Sequence, residues 1–221
     1  MVFKIHLTVV NNNCESIVSD IYRVACAAGF SGDRLGVARP LVNALLKHGG
    51  PACLIFECLA ERTLALAQLE RRQNKQLGYE PLLEEMVEPI LSDCVLAGIP
   101  IVSNFGAANP FAAAAVIARL AKEKNLPELK IAVITGDDIS GSEYRKIIDT
   151  HLAKSDQELL AHSQLVSANV YLGAKEIAAA LTAGAQVVVT GRVADPALTV
   201  GPLMAHFKKS WEDWDFLASA T

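Results

Sequence analysis

The feature that most constrains this chain is a rhythm: six short apolar runs recur between stretches whose apolar residues fall at helical spacing. The runs are YRVACAA (22–28), ACLIFEC (52–58), IPIVSN (99–104), LKIAVITG (129–136), QLVSANV (164–170) and AQVVVTG (185–191). Runs this short read as strands, and strands alternating with helices are the pattern of βαβ units. The expected class is α/β: an open, mostly parallel sheet with helices on both faces, Rossmann-like and doubly wound.

The intervening stretches supply the helices. RPLVNALLKHG ends on a glycine stop, ERTLALAQLERRQ carries Leu64, Leu66, Ala67 and Leu69 on an apolar flank, and PLLEEMVEPILSDCVLAG is read as one helix ending at Gly98. NPFAAAAVIARLAKEKN, SEYRKIIDTHLAK and AKEIAAALTAG follow the third, fourth and fifth runs, and PLMAHFKK with WEDWDFLA closes the chain in helices. No low-complexity linker interrupts this order, so residues 22–221 are expected to form a single α/β domain. Residues 1–21 are an amino-terminal extension, for which a strand with a linker and a peripheral segment both fit.

Composition narrows the function classes. With 52% apolar residues in 221, the chain can bury a sizeable core. Its net charge of −4 is dispersed, with no basic stripe to track a phosphate backbone, so nucleic acid is not expected as a partner. The longest strictly apolar run, FAAAAVIA from Phe111, falls far short of the roughly 20 residues that span a bilayer, so no membrane is expected either. The first twenty residues lack a signal peptide's apolar core and a presequence's arginines. Five dispersed cysteines (Cys14, Cys26, Cys53, Cys58, Cys94) read as reduced core thiols, and the expected location is cytoplasmic.

In an open parallel sheet, ligands bind outside the carboxyl ends of the strands. That is where this sequence concentrates its polar residues: GFSGDR (29–34), FECLAERT (56–63), SNFGAANP (103–110), TGDD (135–138), SANVYLGA (167–174) and TGRVADP (190–196). Asp and Asn before a helix are ordinary N-caps, a reading that fits Asn109-Pro110, Asp195-Pro196 and Asp138. Arg192 has no such explanation. An arginine three residues past a triple valine lies at the sheet rim, where its guanidinium forks onto a ligand anion or onto an internal carboxylate, Glu57 or Asp33. In the first exit, Gly29, Ser31, Gly32, Asp33 and Arg34 form a loop suited to an anion. Its glycines, at 29, 32 and 36, do not have the dinucleotide spacing, so NAD or NADP is not supported. Asp137-Asp138 with Glu57 or Asp33 is the only pattern resembling a magnesium site, and two adjacent acids are weak grounds for one. Cofactors therefore stay unidentified. Cys58 has no histidine partner defined by sequence and reads as inert.

Seven segments in order, GFSGDR, FECLAERTLALAQL, GYEPLLEE, NFGAANP, VITGDD, SANVYLGA and TGRVADPAL, resemble the acyclic terpene utilisation protein A family from about Tyr22 onward. The resemblance implies a protein working beside enzymes that degrade citronellol and geraniol as CoA thioesters. Hydration or cleavage of a branched 3-hydroxyacyl-CoA is the step its pathway position suggests. Related proteins continue past DWDFLASAT into a glycine-rich segment and further domains, so the chain is expected to be truncated at its carboxyl end.

The leading expectation is an enzyme domain for a small-molecule acyl-CoA or carboxylate. Glu57 or Asp138 would be general acid or base. Arg34 and Arg192 would hold phosphate or carboxylate, with Asp195 beside Arg192. Asn104, Asn109 and Asn169 would orient the substrate or stabilise an enolate oxygen. The alternatives are a non-catalytic acyl-CoA-binding or assembly subunit, working as a homo-oligomer or with a partner enzyme, and a truncated inactive fragment. A metal-dependent hydrolase rests on Asp137-Asp138 alone.

Overall fold

A computed structural model describes residues 2–4, 21–126, 128–151 and 165–221. A three-residue strand, β1 (Val2–Lys4), pairs antiparallel with β2 (Arg23–Ala28). From β2 the sheet is wholly parallel, continuing through β3 (Ala52–Phe56) and β4 (Ile101–Ser103) to β6 (Val187–Thr190), with β5 (Ile131–Ile134) at the far edge. The open α/β sheet expected from the sequence is the one formed.

The spatial order explains which face each helix covers. The chain steps one way from β2 to β4, jumps past the β6 position to β5, and returns. Right-handed crossovers put helices made before the return on one face and those made after it on the other. Accordingly, α1 (Ala38–His48), α3 (Leu83–Val87), α4 (Leu91–Leu96) and α5 (Pro110–Glu123) cover the face carrying Ala25, Leu54, Phe56, Ile101, Val187 and Val189. The opposite face, with Val24, Cys53, Ile55, Val102 and Val188, lies under α7 (Lys175–Thr182), α8 (Ala197–Phe207) and α9 (Trp214–Ala220). Successive residues of one strand point to opposite faces, and both faces are buried. This is why the strands read as unbroken apolar runs.

Helix α2 (Glu61–Gln73) belongs to neither layer. Its Leu64 and Ala67 pack with Leu59, Ala107 and Ala108 in a separate small cluster at the exits of β3 and β4, so α2 roofs the carboxyl edge of the sheet. Helix α6 (Arg145–His151) follows a short 3-10 turn at Ser142–Tyr144 after the β5 exit. Leu152, Ala153 and Lys154, read as its continuation, fall outside the described residues.

Two expectations need correction. Residues 81–98 form two helices, α3 and α4, because Pro89 has no N–H to carry the helical ladder past Glu88, whose backbone is still helical. At the break the Ile90 amide bonds the Val87 carbonyl at 3.1 Å, one residue short of helical spacing. The described part of the expected fifth strand, 165–170, is not a strand. It makes single bridges, Asp138 with Asn169 and Leu172 with Val193 just beyond it, and so stitches the exits of β5 and β6 across the carboxyl edge. Ser167 and Asn169 interrupt its apolar residues, and such a segment cannot fill a position buried on both faces.

Cys53, Cys58 and Cys94 are buried free thiols and Cys26 is half-buried; Cys14 lies outside the described residues. Burial pushes the Cys53 and Cys94 thiols up to about 12 and raises that of Cys58. None of the three carries a thiolate near neutral pH, as expected of core cysteines. Among the described residues no helix is long and apolar enough to cross a membrane.

Candidate functional site

The carboxyl edge of the sheet gathers most of the polar residues singled out above, in hydrogen-bonded groups contributed by different exits. At the β5 exit, the buried Asp137 accepts the Arg192 amide at 2.8 Å and the Asn169 side-chain amide at 2.9 Å through the same oxygen, Oδ2. Gly191 is what lets β6 pass so close. A Cβ there would stand 2.4 Å from Asp137 Oδ1. Burial pushes the Asp137 carboxyl above the ordinary carboxylate range, against the two hydrogen bonds that favour its ionised form.

At the β3 exit Glu57 is held in the same manner. Its Oε1 accepts the Leu59 amide and the Asn104 side-chain amide, both at 2.9 Å, while Asn104 Oδ1 takes the Cys58 amide at 2.7 Å. Burial again raises the carboxyl, opposed by these bonds. Glu57 and Asp137 are thus two partly desolvated carboxyls at strand ends, each gripped by an asparagine from elsewhere on the same edge.

Asp138 behaves differently. Its Oδ1 accepts from the Ser140 amide and hydroxyl at 2.9 and 2.6 Å, and its Oδ2 from Gln68 Nε2 at 2.9 Å and Arg71 Nη1 at 3.3 Å, both on α2. Burial works upward here too, but these donors leave the carboxyl below its ordinary value. Asp138 is an anchor point for the roof. Arg72, at the end of α2, adds hydrogen bonds to the Leu165 and Val166 carbonyls, both at 2.8 Å.

The guanidinium of Arg192 is buried, and neither Glu57 nor Asp33 is its hydrogen-bond partner. Nη1 donates to the Leu59 carbonyl at 2.6 Å; Nη2 donates to the Tyr171 hydroxyl and reaches Glu61 Oε1 at 3.4 Å, with Asp195 Oδ1 at 3.8 Å. The Tyr171 ring stacks on the group, its centroid 4.0 Å away, and the Tyr171 hydroxyl donates to Glu61. Asp195 makes no cap bond: α8 starts at Ala197, so the carboxylate stands one position too early. Asn109 does cap α5, accepting the Ala112 amide at 3.3 Å and donating to the Lys75 and Leu77 carbonyls at 2.9 and 2.8 Å.

The loop after β2 lies apart from these groups in its bonding. The carboxylate of Asp33 takes the Gly29 amide at 3.1 Å and the Arg34 amide at 2.7 Å, and these bonds hold it below the ordinary range. The loop's own acid occupies donors that an anion would use. Gly32 sits at φ +81°, and Arg34 is exposed. Ser31 faces Glu80, a buried carboxyl raised by burial against hydrogen bonds from Ser31 and the Leu82 amide.

Beside the Asp137–Asp138 pair opens a cavity of about 380 Å³, lined at the β4 exit by Asn109 and Phe111, at the β5 exit by Asp137, Asp138 and Glu143, and by Arg71 from α2. It lies where the strand order reverses, the position at which open α/β sheets bind ligands. A cavity of about 450 Å³ lies at the opposite end, among Tyr22, Pro51, Pro100, Gln186 and His206, away from the charged exits. Among the described residues no three His, Cys, Asp or Glu side chains are placed to hold a metal ion.

Sequence reasoning missed Gln68 and Arg71 as parts of this edge and gave no role to Glu61 and Tyr171, which lie within the exits FECLAERT and SANVYLGA. Gln68 and Arg71 lie in a helix read only for its apolar flank, and nothing in the spacing of ERTLALAQLERRQ shows that the helix leaves the sheet layer to roof the exits. Tyr171 is the one with a signal: an aromatic inside a polar exit, two residues past Asn169.

Residues 22–221 match the family model described as acyclic terpene utilisation family protein AtuA. No curated protein and no solved structure matches the chain.

Proposed function

Because the chain belongs to the acyclic terpene utilisation family AtuA, we propose that it is an acid–base enzyme acting on a branched acyl-CoA or related carboxylic acid, by hydration or cleavage of a branched 3-hydroxyacyl-CoA. The observation that carries this reading is the pair of partly desolvated carboxyls, Glu57 and Asp137, whose proton affinities are raised toward the working range of a general acid–base group. In the hydration direction, an ionised carboxylate takes a proton from water as the oxygen adds to the β-carbon of an unsaturated thioester. Charge then collects on the thioester oxygen, and a proton delivered to the α-carbon completes the step. Asp137 borders the cavity and is the base of choice; Glu57 is the second proton carrier. Asn104 and Asn169 hold these carboxyls in place, and Arg192 supplies positive charge on the same edge. Asp138, which accepts four hydrogen bonds and is favoured as an anion, suits positioning better than proton transfer. The thiols fit a reducing compartment, in keeping with a cytoplasmic setting.

The test is turnover of branched 3-hydroxyacyl-CoA and its unsaturated counterpart by the purified chain. Asp137→Asn keeps the shape and the acceptor oxygen but cannot carry a proton. It is expected to lower kcat by about 10²–10⁴ with ligand affinity little changed, the range for removing a general acid–base group. Glu57→Gln should act in the same direction. Full turnover in both variants would remove the mechanism.

A second reading, a non-catalytic binding or assembly subunit, is favoured by one observation: Asp33 and Glu61 satisfy from within the chain the donors that an anionic ligand would use. No conversion by the purified chain, together with co-purification of an acyl-CoA enzyme, would favour it.

A further inference from the structure

Three donor groups converge at the start of α2. Ala60 provides no side-chain cap, and the first amide of this 13-residue helix, that of Glu61, is taken by the Glu61 carboxylate itself. Arg192, its side chain 5% exposed, directs Nη1 to Leu59 and Nη2 toward Glu61, the first residue of the helix; its Nε has no hydrogen-bond partner. The Tyr171 hydroxyl accepts from Arg192 and gives its single proton to Glu61. The one group occupying this convergence is the carboxylate of Glu61, which is 77% exposed and held by no packing. A buried arginine directed at a surface carboxylate, through an aromatic hydroxyl, is an arrangement in which that carboxylate is readily exchanged for another oxyanion.

We propose that the N-terminal turn of α2, Arg192 and Tyr171 form a binding site for a small oxyanion, a carboxylate or a phosphate group, and that Glu61 is a built-in competitor displaced when the ligand binds. Swinging Glu61 into solvent frees one proton of Arg192 Nη2 and the proton of Tyr171, two charge-assisted or strong donors on one side, with the first amides of α2 beside them. Asp195, 3.8 Å from Nη2 and beyond hydrogen-bond reach, stays as a counter-charge that keeps the affinity modest. The site deepens the function proposed above by naming the group that anchors the substrate, and it rests on that reading only for the substrate's identity.

The experiment is calorimetric or NMR titration of the whole chain with inorganic phosphate and, separately, with 3-methylbutanoate, with chloride as control. Glu61→Ala removes the competitor at an exposed position and is expected to tighten binding of at least one probe about tenfold, the scale of one charge-assisted hydrogen bond. Adding Tyr171→Phe should abolish the gain, because the second freed donor is then missing. A gain for phosphate alone assigns a phosphate-bearing ligand, and a gain for 3-methylbutanoate alone assigns a free carboxylate. Affinities in Glu61→Ala within twofold of the parent for both probes overturn the site, as does a gain that survives Tyr171→Phe. Turnover is read separately: improved binding without conversion sinks the enzymatic reading and leaves the site, whereas conversion with unimproved binding does the reverse.

Discussion

At the scale of single residues, Gly191 shows how little room the carboxyl edge allows. Any side chain there meets the Asp137 carboxylate, which is itself fixed by the Arg192 and Asn169 bonds. Gly191→Ala is therefore expected to destabilise the fold by about 1–3 kcal/mol, the usual cost of overpacking, and to loosen Asp137. Urea unfolding measures the first effect and the pH profile of any activity the second; an unchanged midpoint would show that β6 has slack. The sequence showed that Arg192 needed a partner but not which one, because Leu59, Glu61 and Tyr171 all come from segments more than twenty residues earlier in the chain. Glu57 and Asp33 were reasonable candidates by position. They had already been taken up locally, by the amides of Leu59 in one case and of Gly29 and Arg34 in the other. The polarity of the exits was legible in the sequence; the pairing among them depends on how the exits are brought together in space.

At the scale of elements, strands buried on both faces were easy to place, and the connections that run over the sheet edge were not. A strand inside a parallel sheet must be apolar throughout. A roof such as α2, or a stitch such as 165–172, is under no comparable constraint, so its sequence reads as an ordinary amphipathic helix or as a weak strand. Close helix contact leaves a clearer mark. Gly201 brings α8 against α7 so tightly that a Cβ would stand 2.5 Å from Ile177 Cγ2. Gly201→Ala is expected to cost about 1–3 kcal/mol by overpacking. In an Ile177→Ala background, itself destabilised by about 2–5 kcal/mol, the added penalty should shrink without vanishing, because the Cβ that alanine keeps stands 2.7 Å from the new methyl. A double-mutant cycle on denaturation midpoints reads the coupling, and additive costs would mean that the helices separate freely.

At the scale of the whole molecule, two sets of carboxyls shape the dependence of stability on pH. Glu57, Glu80 and Asp137 are raised by burial, so between the ordinary carboxylate range, about 4, and their native values the folded chain binds protons that the unfolded chain has released. Stability must fall as pH rises through that window. Asp33, Asp138 and Glu61 are lowered, and their contribution is lost as pH drops below it. The expected profile peaks in the mildly acidic range, and Glu57→Gln or Asp137→Asn should flatten its alkaline side when Tm is followed against pH. A Tm rising steadily to neutrality in the parent chain would contradict this.

The late return of the chain to β6 also has a consequence for synthesis. One face of β2, β3 and β4 is built within the first half of the chain, yet α7, α8 and α9, its cover, lie beyond residue 174. A ribosome releasing the chain from its amino end therefore presents Val24, Ile55 and Val102 to the cell with nothing yet made to hide them. The nascent chain would be a client for chaperones until α7, α8 and α9 emerge, and α8 docks with its His206 and Phe207 rings against Tyr22 as that cover closes.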